Sequence, residues 1–165
     1  MWLSCHLNHR LNILGYLDLS AYGEKYYNSA NVGNADMVAA LHWIQDNIAG
    51  FGGDPGNVTL FGQSGGGMKV YSLMNTPAAE GLFHKGIIQS GVIEEGKKEA
   101  EDDGTAIVEA LLTELKLESV EDLETIPYYF LRKHIIRCHP SCRRKDSTWE
   151  ESREQIHGMP VIRAE

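Results

Sequence analysis

The chain has 165 residues and a mass of 18.4 kDa, enough for one domain with a buried core. With 15 Lys and Arg against 23 Asp and Glu, the formal charge is −8, which argues against nucleic acid as a partner because such binders carry a basic surface. No apolar run reaches membrane-spanning length, so no membrane partner is expected, and the three cysteines (Cys5, Cys138, Cys142) are too few and too uneven for a disulfide scaffold.

In chain order, Leu3–Leu7 reads as a strand and Asn8–Gly15 as its exit loop. The segment Asp18–Gly33 reads as a surface loop anchored by Tyr22, Tyr26 and Tyr27. A helix follows, with Asn34 as N-cap, Asp36 in its first turn, Gly50 at its end and Met37, Leu41, Ile44 and Ile48 along one face. Trp43 is expected to pack on the sheet side of that helix. The turn cluster Phe51-Gly52-Gly53-Asp54-Pro55-Gly56 cannot continue it. Val58–Phe61 reads as a buried strand, Ser64 to about Met74 as a helix, and Gly86–Gln89 as another buried strand.

The alternation strand–helix–strand–helix–strand predicts an α/β fold with right-handed βαβ units and a parallel sheet covered on both faces. Beyond Gly91 the pattern changes. Glu94–Asp103 is a charged hinge, and two helices are expected after it. The first carries Ile107, Val108, Leu111, Leu112 and Leu115; the second opens with capping-box spacing at Ser119-Val120-Glu121-Asp122. Pro127–Ile136 could form a third, and from Arg137 the chain reads as irregular. Residues 1–93 are thus expected to form the core segment, and residues 94–165 a hinge and helical segment of the same domain.

The chemistry concentrates at Gly62-Gln63-Ser64-Gly65-Gly66, a G-x-S-x-G sequence placed between a strand and a helix. A serine at so tight a bend is forced into strained backbone angles, and Gly62, Gly65 and Gly66 are expected to give it room. The bend would hold the Ser64 hydroxyl at a helix N-terminus, with the Gly65 backbone N–H aimed at a developing oxyanion.

The run from Phe51 to Gly66 resembles the active-site signature of the type-B carboxylesterases, which have the α/β-hydrolase fold. The likeness extends to Asn8–Tyr16, Ala39–Ile44 and Gly81–Gly91, and Gln63 before the serine looks most like the bacterial para-nitrobenzyl esterase-like and fungal branch. The resemblance implies a partial α/β-hydrolase fold: a parallel βαβαβ core plus a C-terminal helical region. It implies hydrolysis of small-molecule carboxylic esters, with Ser64 as nucleophile, Gly65 as an oxyanion donor, and no cofactor or metal. It also implies that Arg10 pairs with acidic residues to order its loop. The family's other oxyanion donors lie upstream of the first strand here, and its triad acid and histidine lie farther downstream than this chain reaches. The expectation is therefore an internal fragment, catalytically incomplete. The alternatives are a non-catalytic remnant or binding module that keeps the bend by descent, and an acyltransferase or thioesterase using the same bend.

Other candidates carry less. Among the histidines after Ser64, His84 fits a structural position, and His134 and His139 are weaker candidates for a base than His157. His157-Gly158 looks like a loop histidine and is the best candidate base, although His157–Glu165 resembles more closely a family segment that precedes the acid. Cys138-His139-Pro140-Ser141-Cys142 lacks the paired spacing of a zinc site, and Asn57-Val58-Thr59 is a glycosylation triplet opening a buried strand. Self-association through exposed sheet edges is expected, along with poor solubility. The N-terminal residues do not form a signal peptide, which leaves the cytoplasm as the guess for location.

Overall fold

A computed structural model gives the structure over residues 2–91, 104–131 and 134, and the backbone alone of 161–164. The chain divides into two units. One contains Met1–Tyr16, Asn31–Lys97 and Glu154–Glu165; the other contains Leu17–Ala30 and Lys98–Arg153. The expected boundary at residue 93 lies outside the described residues, as does the charged hinge.

In the first unit, strand β1 (Leu3–His6) alternates half-buried Leu3 and Cys5 with exposed Ser4 and His6. After a single turn of helix, α1 (Ile13–Tyr16), comes α2 (Val32–Asn47). Met37, Leu41 and Ile44 of α2, with Ile48 just beyond it, are all 2% exposed or less, so the predicted face is the buried one. They form one apolar core with Val58 and Leu60 of β2 (Val58–Gln63) and with Val70 and Leu73 of α3 (Gly65–Met74). Ile88 of β3 (Lys85–Gln89) packs against this core, as do Leu3 and Cys5.

Both α2 and α3 therefore lie on one face of the sheet. On the other face Gln63, Lys85 and Gln89 are exposed and Ile87 is 51% exposed, so the expected two-sided cover is not formed by these helices. The sheet order is β1-β4-β2-β3. β2 and β3 are parallel, in register from Thr59↔Lys85 to Gln63↔Gln89, as a βαβ unit requires. Strand β4 (Val161–Ala164) departs from expectation. It lies between β1 and β2 and runs antiparallel to both, with Val161 opposite His6 and Phe61. A four-residue strand is too short for its periodicity to announce it in sequence.

Local capping also differs from the sequence reading. Helix α2 opens at Val32, with Asn31 and not Asn34 at the N-cap position and no side-chain cap; Asn34 accepts from the Tyr16 hydroxyl and Asp36 from Arg10. The helix stop is Gly52, left-handed at φ 82, after a 3-10 turn over Ile48–Phe51, and not Gly50. Trp43 lies off the buried stripe. It is 50% exposed, with its ring centroid 5.9 Å from that of Phe51.

In the second unit, α4 (Thr105–Leu115) buries Val108 and Leu111 completely. Tyr26 is the buried anchor of the tyrosine-rich loop, and its hydroxyl donates to Glu124 Oε1 at 2.5 Å. Tyr27, expected to share that role, is 80% exposed. Helix α5 (Asp122–Thr125) is preceded by half of the expected capping box: the Ser119 N–H donates to Asp122 Oδ2 at 3.0 Å. A helical turn at 128–131 falls within the third helix foreseen. Among the described residues no helix is long and apolar enough to cross a membrane.

Candidate active site

Strand β2 ends at Gln63 and helix α3 begins at Gly65, so Ser64 alone makes the bend. It does so at φ 52 and ψ −120, in the left-handed half of backbone space that side chains rarely adopt. Hydrogen bonds on both sides hold it there. The Ser64 N–H donates to the Gln89 carbonyl at the end of β3 (2.8 Å), and the Ser64 carbonyl accepts from the Met68 N–H (3.0 Å). The residue is exposed, at the carboxyl end of β2.

Close backbone packing makes the bend possible. A Cβ at Gly62 would lie 2.3 Å from the Gly66 carbonyl carbon, and one at Gly91 would lie 2.6 Å from Gly67. Strand end, helix start and the turn after β3 thus touch through bare backbone. At Gly65 a Cβ would meet nothing within 4 Å beyond its chain neighbours and its own helix backbone. What Gly65 offers is its N–H. As the first helical residue it has no acceptor within the helix, and the N-terminal end of α3 favours negative charge.

Sequence reasoning missed Ser90. It follows β3 directly and also adopts a positive φ, 53. The Ser-Gly pair Ser90-Gly91 was the available signal for a special turn.

The loop from β1 is tied to α2 by Arg10. Its Nε and Nη2 donate to the two Asp36 carboxylate oxygens at 2.9 and 2.6 Å, and its backbone N–H adds a third bond at 2.9 Å. This is the acidic pairing that the family likeness implied. The guanidinium holds Asp36 at about 2, well below the usual carboxylate range, although partial burial opposes it. Lys69, one turn into α3, sits 6.0 Å from the Tyr16 ring centroid, and burial lowers its pKa. Burial also lowers His9, with neighbouring Lys69 adding to the effect. A small recess lined by Leu7, Leu60, Phe61 and Lys69 is about the size of one water, too small for an acyl group.

Each described histidine has another task or no task at Ser64. His84 Nδ1 accepts the Val58 N–H at 3.1 Å, a structural role in line with the sequence reading. His134 lies 3.2 Å from Glu114. His9 Nδ1 lies 3.0 Å from the Arg10 carbonyl. Among the described residues none is hydrogen-bonded to Ser64. His139, His157, Cys138 and Cys142 lie outside the described residues, and among those described no cluster of metal-ligating side chains occurs. The Asn57 carboxamide, just before β2, accepts from Lys85 Nζ at 2.8 Å, and Val58 and Thr59 of the triplet are buried in β2.

The model of the carboxylesterase family matches residues 5–134, most of the chain. The chain belongs to the carboxylesterase family. The para-nitrobenzyl esterase of Bacillus subtilis is 45% identical over 124 residues, covering 71% of this chain and 25% of that enzyme. Carboxylesterase 1D of Rattus norvegicus is 48% identical over 87 residues, covering 53% of this chain and 15% of the rat protein. The chain thus spans a quarter or less of the length of these curated relatives. Among solved structures, an esterase of Clostridium hathewayi that hydrolyses aliphatic aromatic polyesters superposes with a TM-score of 0.75 at 56% identity, over 83% of this chain and 28% of its own. A Geobacillus stearothermophilus carboxylesterase superposes at 0.70 with 36% identity, over 81% and 28%. The fold is accordingly part of the α/β-hydrolase fold, and the β4 pairing is the departure from a purely parallel sheet.

Proposed function

We propose that this chain carries the nucleophile of a serine carboxylic-ester hydrolase. Ser64 Oγ attacks the ester carbonyl carbon and gives up its proton to a base. The carbonyl oxygen becomes an oxyanion that accepts the Gly65 N–H, the alcohol leaves with a proton, and water later releases the acid from the acyl-serine. No cofactor enters this sequence. The observation that supports the reading most is the strained, exposed Ser64 standing alone between β2 and α3.

The substrate class is a small carboxylic ester. The polyester activity in the name of the Clostridium hathewayi esterase concerns the same bond. The base is not assigned to any described residue, and His157 is the candidate that the sequence offers. The same reading includes self-association through exposed sheet edges.

Acylation and deacylation separate in the test. Mixed with p-nitrophenyl acetate, the chain is expected to release nitrophenolate in a burst approaching one equivalent, followed by slow turnover, and Ser64→Ala abolishes the burst. Release that is equal in Ser64→Ala overturns the assignment. A second reading is a binding module that keeps the bend. Absence of any burst from folded wild-type protein would support that reading.

A further inference from the structure

We propose that His84 is a pH-sensitive latch on the β2–β3 pair, closed by its neutral ring and opened in mild acid when Nδ1 takes a proton. Two bonds join His84 to Val58 where these strands begin. The His84 N–H donates to the Val58 carbonyl at 2.8 Å, and the Val58 N–H donates to His84 Nδ1 at 3.1 Å. At the far end of β2, the Ser64 N–H donates to the Gln89 carbonyl at 2.8 Å. Val58 and Ser64 are six residues apart, so their N–H groups point to the same side of β2. One end of that row is closed by a carbonyl, an acceptor that does not titrate. The other is closed by an imidazole, an acceptor that does.

The bond to Val58 fixes the state of the ring. A backbone N–H only donates, so Nδ1 carries no proton and the ring proton sits on Nε2. A second proton makes both ring nitrogens donors and sets Nδ1–H against the Val58 N–H. Val58 is fully buried, where a donor left without an acceptor is costly, so the ring must turn away or the strand ends must part. The charged groups on the segments that meet here are already engaged. Asp54 Oδ1 accepts the Gly56 N–H at 2.8 Å, and Lys85 Nζ donates to Asn57 at 2.8 Å. Helix α2 contributes the neutral Gln45, whose Nε2 donates to the Pro55 and Leu82 carbonyls. The ion pairs among the described residues do not include His84. The closed latch requires the neutral ring, so the folded chain binds fewer protons here than the unfolded one. Its contribution is present at neutral pH and is lost as pH falls. That loss is separate from the Asp36 carboxylate, held at about 2, which titrates only in much stronger acid.

The test compares the full wild-type chain with His84→Asn, whose carboxamide oxygen can take the Val58 N–H and cannot charge. In nitrogen-15 spectra of the wild type near pH 8, Nδ1 of His84 is expected to be the unprotonated ring nitrogen. Protection of the Val58 amide from hydrogen exchange, corrected for the intrinsic pH dependence, is expected to fall about two- to fourfold between about pH 8 and about pH 6, as an ordinary histidine charges. In His84→Asn that protection is expected to stay level. The other histidines are common to both chains, so the difference isolates His84. A proton on Nδ1 near pH 8, level Val58 protection in the wild type, or an equal fall in both chains would each overturn the proposal. If His84→Asn does not fold, the wild type decides alone: Nδ1 protonation and loss of Val58 protection must follow the same pH course, and separate courses overturn the latch. None of these readouts depends on Ser64, so failure here leaves the ester chemistry standing and the reverse also holds.

Discussion

Ser64 keeps a costly backbone conformation because its N–H and C=O are both bonded and because Gly62 lets the first turn of α3 approach. The glycines around it are not equivalent, and this predicts a sharp contrast. Gly62→Ala drives a methyl group into the Gly66 carbonyl and should destabilise the fold by about 3 kcal/mol, with loss of reactivity at Ser64. Gly65→Ala meets open space at a helix start and should leave the urea midpoint unchanged or raised, with its N–H still in place. Equal midpoints for the two variants would contradict the packing account.

At the same scale, Arg10 and Asp36 give a pH signature. Asp36 titrates at about 2 in the fold against an ordinary 3.8, so its contribution is complete above pH 4 and is lost as pH falls towards 2. The Arg10 side chain is 55% exposed, so solvent screening limits the pair to about 1 kcal/mol. Asp36→Asn should cost that amount at pH 7, and the gap to wild type should shrink between pH 4 and pH 2 in urea melts. A gap independent of pH would count against the ion pair.

Among the elements, α2 rests on one buried stripe. Leu41, fully buried, should cost about 3 kcal/mol when replaced by Ala, whereas Trp43→Ala on the exposed side should cost well under 1. Near-equal costs would mean that the helix presents a different face. Among the described residues β1 has only β4 as a strand neighbour, so Ile162→Pro, which removes a backbone N–H from β4, should weaken the sheet and lower the unfolding midpoint. An unchanged midpoint would remove β4 from the sheet.

These elements show what sequence can and cannot carry. The spacing of Met37, Leu41, Ile44 and Ile48 repeats over several turns, so the face of α2 was legible, and the bend at Ser64 announced itself through flanking glycines. The start of α2 was misread because Asp36 and Asn34 look like capping residues but serve Arg10 and Tyr16, partners distant in sequence. Trp43 was misread because its size suggested a core residue while its position set it outside. β4 escaped notice because pairing across most of the chain's length leaves no local trace. The one-sided placement of the helices follows from packing among distant segments, which no single run of residues encodes.

The whole chain carries a formal charge of −8. With an isoelectric point near 5.3, its net repulsion vanishes in mild acid, so solubility is expected to be lowest near that pH and to recover above it. The rest of the account depends on Ser64 being a reactive nucleophile in the folded chain. The most direct measurement is incubation with a fluorophosphonate probe, followed by digestion and mass mapping of the adduct. The account predicts a single adduct on the peptide containing Ser64, absent in Ser64→Ala and abolished by unfolding in urea. Folded wild-type chain that takes no label, or takes it equally at other serines, would contradict it.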